Sequence, residues 1–306
     1  MKNILKIIIF IFICFFVNLD CFIPPYLFSA DINLIASLGG DKQMGRLNQP
    51  SSIFFDESKK RLYIADTFNH RLVSYDSDFN YISEFNAGGE LSYPMSIVRN
   101  SREQFFVVGG TGKNELFFID IPQKIFSRLE IKNAPAKENP ILPGKLAIDK
   151  NDTLYIIDKG NGRILVVDSS GKYLREIKVE DKLVDFSDVS VDADGNIYSL
   201  STLEGKVYIF NNKGEVSSSF GKRGNGGQEF EFPVSIAVGK NGFIYVLDQH
   251  KRSVLTFKKD GAFQFSFSKN ELGELYEPYH VFTDMGNKIY ITDRGNNRIQ
   301  IFQGGK

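Results

Sequence analysis

The chain has 306 residues, with 37 Lys and Arg against 37 Asp and Glu and a formal net charge of zero. That balance lacks the basic footprint that phosphate backbones require, which argues against nucleic acid as a partner. Its 2 cysteines, Cys14 and Cys21, lie near the start, so the rest of the chain has no thiol to pair, to ligate a metal or to act as nucleophile.

Residues 1–17 place Lys2 and Lys6 ahead of an uninterrupted apolar run from Ile7 to Val17. A positive start before an apolar run too short for an ordinary transmembrane helix of ~20 residues has the layout of a secretory signal. Residues 1–30 are expected to be a signal peptide or a retained N-terminal membrane anchor. The cleavage site is poorly formed, because bulky Phe28 stands two places before Ala30, and Cys21 follows Leu19-Asp20 rather than the small residues of a lipoprotein signal. Residues 31–306 would then lie outside the cytoplasm, whether periplasmic, secreted or anchored, touching a membrane only through the N-terminal segment.

From Asp31 onward the apolar runs are about four to six residues long, separated by Gly, Asn, Asp and Lys, with no helix-period segment of useful length. Short, evenly spaced strands with turn signals argue all-β. Ile32–Gly40 reads as a strand followed by a glycine turn, like Ser217–Gly221 further on. Then comes a unit that repeats: a proline, an apolar run, a turn, a second apolar run with a central aromatic, a polar loop, and a third run. The aromatics are Tyr63, Phe106, Tyr155, Tyr198, Tyr245 and Tyr290, at steps of 43, 49, 43, 47 and 45. The opening prolines are Pro50, Pro94, Pro143, Pro233 and Pro278, with Phe186-Ser187 in their place in the fourth copy.

A period of about 45 residues means stacked units sharing one core rather than two domains. In the third copy, Lys145–Asp149, Thr153–Asp158, Arg163–Asp168 and Tyr173–Ile177 make four strands, which is one propeller blade. Six copies predict one six-bladed β-propeller. The sixth copy stops after its third strand at Phe302, so the N-terminal strand is expected to supply the fourth and close the ring, removing two exposed edges.

The second run closes on Asp66, Asp158, Asp248 and Asp293, followed by Arg71, Arg163, Arg252 and Arg298. A carboxylate four or five residues before a guanidinium can bond across the loop between them, and repetition in blade after blade favours loop staples over a functional ring of charges. The pattern Pro-x-x-Ile/Val, Gly-x-Ile/Leu-Tyr-Ile/Val-x-Asp and Asn-x-Arg, best seen at Asp66–Arg71, Asp158–Arg163 and Asp293–Arg298, resembles the NHL repeat of the TolB-like and gluconolactonase-like six-bladed propellers. The resemblance spans about residues 32–302 and implies the fold, not an activity.

The resemblance reaches peptide-amidating lyases, whose three-His zinc site follows the strand-opening prolines directly. Those positions here are Ser51, Met95, Gly144, Val234 and Tyr279, while His280 comes one residue later and His70 and His250 fall in loops. A gluconolactonase-like hydrolase would need a Glu, an Asn and an Asp around a divalent ion, a set the sequence does not single out. No phosphate loop, nucleophile elbow or Cys/His couple is present. Neither a catalytic set, a metal site nor a cofactor is expected. The reading is a monomeric, non-catalytic scaffold binding a protein or small extracellular ligand at one face, with a metal-dependent hydrolase or lyase as the alternative. Candidate contacts are His280, Tyr279, His70, Lys222 and Arg223. The variable loops Gly39–Gln49, Asn133–Leu142 and Gly221–Glu229 surround them, on a scaffold where loops usually carry binding. Phe68 and Tyr93 are further candidate anchors.

Overall fold

The computed structural model describes residues 32–270 and 273–303. The expected signal or anchor lies outside these residues. Six four-stranded antiparallel sheets are arranged as propeller blades. Their innermost strands are Ser52–Asp56, Ser96–Arg99, Pro143–Ile148, Phe186–Val191, Pro233–Val238 and Pro278–Thr283. Blade three continues through Leu154–Asp158, Arg163–Val167 and Tyr173–Ile177, within a residue or two of the expected bounds.

The ring closes on blade six. Asn33–Leu38 pairs antiparallel with Arg298–Gln303, Leu34 opposite Phe302 and Leu38 opposite Ile299, with a bulge between Leu34 and Ala36. The first strand in the sequence thus becomes the fourth strand of the last blade, and neither end of the ring is left as an open edge.

The core lies between blades. Among the described residues six apolar clusters occur, one at each blade–blade interface. At the interface of blades three and four, Tyr155, Ile157 and Val166 pack on Phe186, Ile197 and Phe210. The ring-closing interface sets Phe55, Ile64 and Val73 against Tyr290, Ile299 and Ile301. Middle strands are therefore buried on both faces and read as continuous apolar runs.

The repeated tyrosine has a polar as well as an apolar role. Tyr198 and Tyr290 donate their hydroxyls to Asp192 and Asp284 at 3.1 and 2.9 Å, and Asn241 Nδ2 donates to the Tyr245 hydroxyl at 2.9 Å. Each partner sits in the turn between the first and second strands, where Asp192 and Asp284 also accept backbone N–H groups. One side chain thus packs the blade and fixes its hairpin.

Candidate functional site

The innermost strands line a central channel. The second residue after each opening proline position, Ser52, Ser96, Lys145, Asp188, Ser235 and His280, occupies the same place in each blade, so these six form a ring at the waist. Most serve as clasps to the next blade. Ser52 Oγ accepts from Ile97 N (3.2 Å), Ser96 Oγ from Leu146 N (3.0 Å), Asp188 Oδ2 from Ile236 N (3.0 Å), Ser235 Oγ from Val281 N (3.1 Å) and His280 Nδ1 from Ile53 N (3.2 Å).

Lys145 is the exception, because an ammonium has no acceptor. The backbone N–H that it leaves, that of Val189, is taken by the neighbouring Asp188 Oδ1 at 2.9 Å. Lys145 is 5% exposed, yet its Nζ has no hydrogen-bond partner. The ammonium rests 4.4 Å from the centre of the Tyr279 ring. Burial pulls its pKa down from 10.5 to about 8, opposed by the charge of Asp188 and reinforced by Lys159 and Arg294. Burial pushes the Asp188 carboxyl up and holds His280 well below its ordinary value, the latter helped by Lys145.

Above the ring is a cavity of about 180 Å³ lined by Lys145, Lys159, Tyr279, Asn114, Ser187 and Thr202, among others. Gly144 makes room for the second lysine: a Cβ there would lie 3.0 Å from Lys159 Cε and 3.3 Å from its Cγ. Arg294, from the loop of blade six, holds its guanidinium 5.0 Å from the Tyr279 ring centre and donates from Nη2 to Gln49 Oε1, while its buried Nε has no partner. Below the ring a larger cavity of about 500 Å³ has walls such as Leu146, Val189, Ile236 and Val281, with Asp149 and Asp192 toward its mouth.

The histidines do not come together. His70 is in the left-handed conformation (φ 55°) and its Nδ1 accepts from Tyr93 N at 3.2 Å, tying its loop to the next blade. His250 stacks on Phe232 at 4.7 Å. His280 is buried at the waist. Among the described residues, no group of three or more His, Cys, Asp and Glu side chains is placed to hold a metal ion.

The Asp and Arg pairs lie in buried loops. Arg71 Nε bonds Asp66 at 2.8 Å, Arg163 Nε bonds Asp158 at 2.9 Å and Arg298 Nε bonds Asp293 at 2.6 Å. The same carboxylates accept backbone N–H groups from the incoming inter-blade segment, those of Asn48, Leu142 and Tyr276. Blade five departs from the expected pairing. Asp248 instead accepts from Glu231 N and Phe232 N, and Arg252 reaches Glu274 at 3.4 Å. The reason is spacing: Arg252 is four residues on, at a left-handed loop position (φ 51°), and Ser253 begins the strand where the other blades have arginine.

Tyr279 is half-buried in the channel rather than an exposed anchor. Lys222 is paired to Glu229 at 2.6 Å, and Arg223 Nη1 donates to Leu203 O at 3.3 Å. The long loop at 133–142 is fastened to blade three through Lys137 with Glu176 and Asn139 with Gly160.

Comparison with known proteins agrees with this architecture. Residues 183–271 match the family DUF5128, described as a 6-bladed beta-propeller. The chain is a six-bladed β-propeller. No curated protein matches it. Among solved structures the propeller is similar to a streptogramin B lyase, with 12% identity, TM-score 0.64, and coverage of 90% of this chain and 98% of that one. Virginiamycin B lyase from Staphylococcus aureus has 14% identity, TM-score 0.60, and coverage of 86% and 82%. A putative gluconolactonase has 11% identity, TM-score 0.64, and coverage of 90% and 92%. At such identities the likeness is one of fold.

Proposed function

We propose that the chain is an exported, monomeric, non-catalytic binding propeller that takes its ligand at the upper mouth of the central channel, where the inter-blade loops meet. The observation that carries this reading is the use of the waist ring. Five of its six side chains spend an acceptor on holding blades together, and the sixth is a buried cation without a hydrogen-bond partner beside a small cavity. A concave site with a few convergent polar groups on a rigid scaffold is the usual form of a small-ligand site. The rival, a metal-dependent hydrolase or lyase, draws its support from the named lyases and gluconolactonase that share the fold.

The test has two arms. Purified protein is analysed for metal and assayed on a lactone, and a panel of sugars, amino acids and organic acids is screened by thermal shift against the wild type and Val234→Trp, which fills the upper cavity. The expected result is no metal-dependent turnover, and at least one stabilising compound whose effect Val234→Trp abolishes. A stoichiometric divalent ion whose removal stops lactone hydrolysis would establish the rival.

A further inference from the structure

Three cations gather around the upper cavity and the Tyr279 ring, and none is paired with an acid. Lys145, from the innermost strand of blade three, and Lys159, from the loop after the second strand of the same blade, line the cavity, while Arg294, from blade six, packs on Tyr279, which lines it too. Among the described residues none of the three forms an ion pair with a carboxylate. Asp188, the nearest acid in the ring, is already committed on both oxygens, to Val189 N, Ile236 N and Ser235 Oγ. Lys145 has instead one aromatic ring, Tyr279, and Arg294 shares that ring while also bonding the neutral Gln49 and lying over Phe68. A ring face is a weak partner for a desolvated cation, and a charge-assisted hydrogen bond to an oxyanion is stronger.

We infer that the upper cavity is a site for a small organic anion, its carboxylate or phosphate group seated between Lys145 Nζ, Lys159 and the Arg294 guanidinium over the Tyr279 ring. This rests on the binding reading above and specifies its ligand. The volume of about 180 Å³ equals that of about six water molecules, which accommodates a short carboxylic acid or a phosphate group. The groups facing Lys145 are Asp188, His280, Lys159, Arg294 and Tyr279. Of these only Asp188 is acidic, so the approach from the mouth is positive. An oxyanion would also relieve the burial that weakens the hold of Lys145 on its proton, so binding takes up a proton at alkaline pH.

The experiment is calorimetric titration of the full chain at pH 7 and low salt with succinate, acetate and inorganic phosphate, and with succinamide as the neutral control. At least one anion is expected to bind with Kd on the order of 1 mM or tighter, and succinamide is expected not to. Lys145→Met should weaken that anion about tenfold or more, and Lys159→Met by a smaller factor. Should Lys145→Met fail to fold, Lys159→Met, altered at an exposed loop position, decides the matter with Arg294→Gln. The tighter of carboxylate and phosphate identifies the headgroup. No binding by any anion, equal binding of succinamide, or variants that bind like the wild type would each overturn the inference. Neutral ligands blocked by Val234→Trp would leave the binding reading standing while this site falls.

Discussion

Replacing Lys145 by methionine should stabilise the protein at neutral pH. The side chain is 5% exposed and its ammonium has no hydrogen-bond partner. Burial holds its pKa near 8 against 10.5, a gap that at about 1.4 kcal/mol per pH unit is worth about 3 kcal/mol. Because the folded value is depressed, the unfolded chain binds the extra proton between pH 8 and 10.5, so stability rises with pH across that window. The penalty is full below about pH 8 and gone above about 10.5. Methionine removes it at similar volume, but also removes the attraction that Lys145 exerts on Asp188, so a net gain of about 1–3 kcal/mol is expected at pH 7. For a domain of this size that raises Tm by about 2–6 °C. The assay is thermal melting of wild type and variant at pH 7 and pH 10, followed by circular dichroism. The difference between them should shrink at the higher pH. A variant less stable than the wild type at pH 7, or a difference independent of pH, would refute the picture of a buried, unpaired cation.

Other outcomes follow from the same geometry. Asp293→Ala strands the donors of Tyr276, Asn296 and Arg298 and should cost about 3 kcal/mol or more in guanidinium denaturation, whereas Arg252→Ala, at an exposed pair, should change stability by less than about 0.5 kcal/mol. His280→Ala leaves Ile53 N unpaired and should cost about 1–3 kcal/mol, with His280→Gln recovering part of it. Since burial holds His280 well below its ordinary 6.5, wild-type stability should fall as pH drops below about 6.5, and the fall should be smaller in His280→Gln. Deleting residues 32–38 opens the ring at the edge of Arg298–Gln303, and size-exclusion chromatography should show aggregation in place of monomer. Cell fractionation and intact mass of the exported protein test the N-terminal segment: the full-length chain free in the cytoplasm would count against export.

The fold was legible because each recurring residue type has one physical job. The prolines mark the entry to the innermost strand, the aromatics fill the blade interfaces and in four blades fasten a turn, and Asp66, Asp158 and Asp293 hold an arginine and the incoming segment together. Arg252 was misread because a spacing of four was treated like a spacing of five, while one residue is enough to move a side chain from strand to loop. The channel site was mostly hidden. The positions directly after each proline carry no histidine, while the second such position carries one long cation, Lys145, among Ser52, Ser96, Asp188, Ser235 and His280. Nothing in the sequence tells that Arg294, far from Lys145 along the chain, packs on the same Tyr279 ring, or that Gly144 leaves the space for Lys159.

The central claim, a buried lysine awaiting an anion, is tested most directly by proton uptake on binding. Succinate, or whichever of the anions binds more tightly, is titrated into wild type and Lys159→Met at pH 8.5 in two buffers of different ionisation enthalpy. Lys145 near pKa 8 is then mostly neutral when free and recharged when bound, so both proteins should take up a substantial fraction of a proton per anion. Binding with no buffer dependence in either protein would contradict the claim.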